Sequence, residues 1–187
     1  MRIGTSMING LNVEKITETV EVIQDNESLR DVHVQAKSIW KSGGLSETYV
    51  RRGSDEQAIK VCSDMLPLQG APDLSSKCGA ACPTELVLAA LSSCLMIGIT
   101  CHASLRGIHI KSLEIETKGK FDIGGFLGMD AKRNGYENLK LICNIDADAS
   151  EAELSEIFEH VKATSPVLDV IVNKLDNVST NLHASQG

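Results

Sequence analysis

From Leu86 to Leu105 the chain carries no Asp, Glu, Lys or Arg. A bilayer span takes about 20 apolar residues, so the run is just long enough for one. Ser92, Ser93, Thr100, His102 and Ser104 dilute it, and its ends read as those of a soluble helix. Pro83 suits the first helical position, where its missing N–H costs nothing. Gly107 suits a stop just after Arg106, whose charge favours that end of the helix dipole. A helix that is apolar on nearly all sides belongs in a core. The stretch therefore predicts a buried helix of about two dozen residues, carrying Cys94 and Cys101 on one face.

Aromatic residues make up only 3% of the 187 positions, so the core around such a helix must be aliphatic. The length fits one domain with an appendage. We read residues 1–29 as an N-terminal helical extension and residues 30–187 as the main domain. A net charge of −7 disfavours nucleic acid as a partner, because a phosphate surface demands a basic face. It equally disfavours an anionic membrane. MRIGTSMINGLN contains no long apolar stretch, so no signal peptide is expected, which places the chain in the cytoplasm with its six cysteines mostly reduced. Cys78 and Cys82 form half of a zinc pattern whose second pair is missing. Neither a metal nor a cofactor is expected. A metal module built on Cys78, Cys82 and His102 is the alternative that this spacing leaves.

Around the central run the periodicity alternates between helix and strand. Asn12 to Gln24 repeats Val13, Ile16, Val20 and Ile23 at helical spacing, with Asn12 as cap. DVHVQAKSIW, SETYVRRG and QAIKVCS read as three strands of a meander, with a turn at Gly43-Gly44. Pro, Gly and Ser dominate from Met65 to Ala81 and predict a loop. IHIKSLEIETKGKFD and YENLKLICNIDAD are two strands, and a phase shift between Ile110 and Leu113 predicts a bulge. Ser150 and Glu153 form a capping box before a helix with Leu154, Ile157 and Val161 on one face. A short helix in SPVLDVIVNKL and a terminal strand in NVSTNLHA complete an α+β order with largely antiparallel strands.

The block CPTELVLAALSSCLMIGITCHASLRGIHIKSLEIETKGKFD resembles the centre of the OsmC/Ohr superfamily, the osmotically inducible and organic hydroperoxide resistance proteins. The likeness extends to SIWKSGG in front and GYENLKLICNIDADASEAELSEIFEHVKATSPVLDVI behind. It implies curved antiparallel sheets that wrap long buried central helices in an intertwined homodimer, with the sites at the interface. It also implies a helix cysteine that attacks a hydroperoxide as a thiolate, a second cysteine that resolves it to a disulfide, and a glutamate and an arginine that polarise the site. Thiol reductants then reset the cycle.

Carried over residue by residue, the attacking position falls on Cys94. The resolving position falls on Ser165, which cannot form a disulfide. The glutamate position falls on Thr84, with Glu85 beside it but about 100° away around the helix. Arg51, with Arg52, is the arginine candidate. Two readings follow: a one-cysteine thiol peroxidase served by an external thiol reductant, or a non-catalytic scaffold binding a small apolar or thiol-containing molecule at the interface. Cys101 is a poor resolver, because two helical turns separate the pair by about 10 Å.

Overall fold

The computed structural model describes residues 7–52, 57–70, 72–73, 75, 79–130 and 133–184. A small hairpin, β1 (Met7–Ile8) and β2 (Leu11–Asn12), leads into helix α1 (Val13–Asp25) and a single 3-10 turn (Glu27–Arg30). Strands β3 (Val34–Ser42), β4 (Leu45–Arg52) and β5 (Ile59–Ser63) precede the long helix α2 (Pro83–Leu105). Strands β6 (Ile110–Phe121) and β7 (Tyr136–Ala147) and helices α3 (Glu151–Thr164) and α4 (Pro166–Val172) follow. The sheets are antiparallel, in the orders β3-β4-β5 and β6-β7, so the α+β class and the meander are as expected.

Capping sets the helix boundaries. The Asn12 side chain accepts the Lys15 N–H at 3.0 Å and opens α1. Ser150 and Glu153 make the expected reciprocal box at the head of α3. For α2 the cap residue is Cys82, with Pro83 in the first turn. Gly107 ends it with a φ of 74°, which a residue bearing a Cβ rarely adopts.

Within α2, Leu91, Leu95, Ile99 and Ala103 recur every fourth residue and are fully or almost fully buried. That stripe lies on the inward residues of β6 and β7, among them Leu113, Ile115, Leu139 and Leu141, and on Ile157 and Val161 of α3. Burying a leucine of this kind stabilises the fold by roughly 1.5–3 kcal/mol. The bulge falls where the phase shift placed it: the β6–β7 register slips between Ile110 and Ser112, which keeps both Ile110 and Leu113 against the core.

The single chain meets one expectation in part and overturns another. All-round burial of α2 is not met within one chain: Val87, Met96, Ile97 and Leu105 are exposed, Ile97 at 70%. The β6–β7 sheet with α3 and α4 covers one side of the long helix, and among the described residues much of its other side stays uncovered. By length and composition α2 could cross a membrane, but its buried stripe is packed like that of a core helix. The expectation overturned is NVSTNLHA, which forms no strand. Residues 177–184 lack regular structure, and Val178 and Leu182 are exposed, because alternation alone cannot make a strand without an edge to pair with.

The hairpin at the start was not anticipated, although Asn9-Gly10 is a strong two-residue turn signal with both φ angles positive. Asn9 ties it down. Its amide donates to Ser104 Oγ at 3.0 Å and to the Ile108 carbonyl at 2.9 Å, and its oxygen accepts the Ile110 N–H at 2.8 Å.

Two consequences of the α2–α3 contact are testable. A methyl group at Gly98 would sit 2.6 Å from Val161 Cγ1. Gly98→Ala should therefore cost about 1–3 kcal/mol in urea unfolding, and adding Val161→Ala should recover part of that loss. Strict additivity of the two changes would contradict the close approach. Further along, His102 meets His160 edge-to-face at 4.5 Å. Burial, then His160, then Arg106 hold the His102 pKa below its ordinary 6.5. The unfolded chain therefore takes up this proton more readily, so stability is full above that pH and declines as the pH falls through it. His102→Gln should flatten the stability slope between pH 7 and pH 5; an unchanged slope would contradict the assignment.

Candidate functional site

Cys94 stands one residue before the fully buried Leu95 and is itself only half-buried. What faces its sulfur is decided by a break in the chain between α3 and α4. The residue before a proline avoids the helical region, so α3 cannot run on through Pro166. Ser165 adopts φ −72° and ψ 115°, closes α3 and caps α4. Its Oγ accepts the Leu168 N–H at 3.1 Å, and the same Oγ lies 3.3 Å from Cys94 Sγ. Ser165 is only 5% exposed. Positions 71 residues apart in sequence thus form one sulfur–hydroxyl pair.

The other candidate residues lie elsewhere. Thr84 is in the first turn of α2, about 15 Å along the axis from Cys94. Its hydroxyl is 2.9 Å from Cys82 Sγ, and its carbonyl accepts the Tyr136 hydroxyl at 2.7 Å. Burial pushes the Tyr136 phenol above its usual range. Glu85 turns back to the cap, where its carboxylate accepts the Cys82 N–H at 2.8 Å while Cys82 Sγ accepts the Glu85 N–H at 3.5 Å. Arg51 and Arg52 end β4 opposite Gln35 and Val34, both exposed. Among the described residues neither side chain forms an ion pair, and neither reaches Cys94.

The metal alternative fails on distance. Cys78 lies outside the described residues, while Cys82 and His102 sit near opposite ends of one continuous helix, about 30 Å apart. Among the described residues no cluster of three His, Cys, Asp or Glu is suited to a metal. A groove of about 590 Å³ opens between the start of α2, the β6–β7 end and α4, lined by Thr84, Val87, Phe121, Tyr136, Leu139 and Ile171 among others. Its edge at Val87 lies two turns of α2, about 10 Å, from Cys94. Met96 is on the exposed side of α2.

Sequence reasoning named Ser165 but missed that it caps a helix, although Ser before Pro at a helix start is a recognisable signal. Tyr136 was missed altogether, since nothing local marks a tyrosine that will bond a distant carbonyl. The short sulfur–oxygen distance makes one clear prediction. Ser165→Cys should put a second sulfur beside that of Cys94, in position to close a disulfide of about 2.05 Å. Mild oxidation should remove two hydrogens by intact-protein mass spectrometry and link the two tryptic peptides; persistent free thiols at both positions would contradict the geometry.

The model of the OsmC-like protein family matches residues 76–179, more than half of the chain and the whole of the α2–α4 region. No curated protein matches the sequence. Among solved structures, an OsmC-like protein from Mycoplasma pneumoniae superposes with a TM-score of 0.53 at 16% identity, covering 74% of this chain and 85% of its own. An organic hydroperoxide resistance protein OsmC from Legionella pneumophila gives 0.53 at 17%, covering 75% and 89%. An OsmC-like protein of unknown function from Vibrio cholerae gives 0.53 at 13%, covering 76% and 95%. At such identities the structural likeness speaks for the fold alone. Joined to the family match over the region that builds the Cys94–Ser165 contact, it places this chain in the OsmC-like protein family.

Proposed function

We propose that this chain reduces organic hydroperoxides with Cys94 as a one-cysteine nucleophile. The observation that carries the reading is the half-buried Cys94 sulfur facing the Ser165 hydroxyl at 3.3 Å, within a stretch of helix that bears no Asp, Glu, Lys or Arg. Family membership and the Legionella neighbour, described as an organic hydroperoxide resistance protein, support it. In the reaction the Cys94 thiolate attacks the outer peroxide oxygen, the O–O bond breaks, and the alkoxide leaves with a proton as the alcohol. Cys94 is now a sulfenic acid. Serine at position 165 cannot close a disulfide. An external thiol therefore condenses with the sulfenic acid, releasing water, and a second thiol displaces the first as a disulfide. The sum is one hydroperoxide and two thiols to one alcohol, one water and one disulfide.

A second copy of the chain completes the site in this reading. It covers the exposed face of α2 at Val87, Met96, Ile97 and Leu105 and the open meander, whose Trp40 is 72% exposed. It can also carry Arg51 toward the partner's sulfur, which the same chain's Arg51 does not reach. The protein acts on a small molecule in the cytoplasm, without nucleic acid or membrane. The groove beside Thr84 and Tyr136 favours a second reading, a scaffold that binds a small apolar or thiol-containing molecule without turnover.

Turnover of cumene hydroperoxide with dithiothreitol separates the two. Wild type should consume peroxide catalytically and Cys94→Ser should lose at least a hundredfold, as nucleophile removal usually does. Equal rates in both proteins would leave only the scaffold reading.

A further inference from the structure

We infer that Ser165 is a positioning residue whose hydroxyl donates its hydrogen to the Cys94 sulfur and so favours the thiolate. The inference rests on the proposed role of Cys94 but is drawn from a separate observation, the hydrogen-bond inventory of Ser165. A serine hydroxyl has one hydrogen to give and two lone pairs. One lone pair is taken by the Leu168 N–H, at 3.1 Å. Among the described residues, its other hydrogen-bonding neighbour is Cys94 Sγ, at 3.3 Å. With Ser165 only 5% exposed, little water can take the hydrogen.

Two arrangements are then open. If the thiol donates to the oxygen, the hydroxyl hydrogen of Ser165 is buried with no acceptor, which is a costly state. If the hydroxyl donates to the sulfur, the stronger donor is satisfied and only the weakly donating S–H is left over; on a thiolate no hydrogen is left over, and the bond is strongest when the sulfur carries that charge. The Leu168 N–H reinforces it, because a hydroxyl that accepts one hydrogen bond donates a stronger one. Since an oxygen cannot form a disulfide with Cys94, the donor is not consumed and serves every turnover. The residue that removes the intrachain resolving step supplies polarisation in its place, and it does so without an arginine from the same chain.

The test is the pH profile of iodoacetamide alkylation at Cys94, read by peptide mass spectrometry and normalised to the plateau rate at high pH. That normalisation removes any effect of altered access. Ser165→Ala, which loses both donor and cap, and Ser165→Asp, which keeps the cap acceptor but has no hydrogen to give, should alkylate about tenfold more slowly at pH 6, a charge-assisted bond being worth about that factor. Ser165→Thr should restore the wild-type profile. A folded Ala variant with the wild-type profile would overturn the inference, as would a Thr variant as slow as Ala. If Ala fails to fold, the Asp and Thr pair decides alone, and a folded Asp variant with the wild-type profile would overturn it equally. No peroxide is used, so a wild type inactive on hydroperoxides would end the peroxidase reading while this result stood by itself.

Discussion

The whole arrangement depends on one stripe of aliphatic packing. Leu91, Leu95, Ile99 and Ala103 seat α2 on β6 and β7 and against Ile157 and Val161 of α3. Because that contact is close-packed, it fixes the rotation of α2 about its own axis. Cys94, about 100° around from Leu95, then emerges at the margin of the core rather than inside it. Gly98 sharpens the effect by letting Val161 approach the helix backbone. The position of the sulfur is thus a by-product of hydrophobic burial, which is non-directional in itself and becomes specific through shape.

Polar contacts then refine what packing sets coarsely. Pro166 stops α3, Ser165 starts α4, and the same hydroxyl that caps a helix meets a thiol from another element. The far end of α2 is pinned by Asn9, which links the first hairpin to Ser104, Ile108 and Ile110. At the near end, Cys82, Thr84, Glu85 and Tyr136 are occupied with the cap. Polar residues at the two ends hold the helix, and one from the α3–α4 junction meets the sulfur in its middle. This division follows from where backbone groups lack partners, which is at the termini.

Much of this was legible in the sequence wherever the signal is local. Pro83 and Gly107 bracketed α2, the slip from Ile110 to Leu113 marked the bulge, and Ser150 with Glu153 announced α3. The terminal segment at 177–184 was misread because a strand is a relation between two chain segments, and its alternation names no neighbour. What covers the exposed face of α2 was not legible for a similar reason: hydrophobicity states how much surface must be covered, not which molecule covers it. The pairing of Cys94 with Ser165 came from family resemblance. No spacing rule brings together residues 71 positions apart, and only the packing of α4 across α2 does so.

The central claim is that Cys94 is the sulfur a peroxide reaches, even though Cys62 is more exposed. Treating the protein with one equivalent of cumene hydroperoxide in the presence of dimedone, then mapping the adduct by peptide mass spectrometry, tests this directly. The account predicts the sulfenic acid adduct on the peptide containing Cys94, with Cys62 unlabelled. Adduct on Cys62 ahead of Cys94, or none on Cys94, would contradict it.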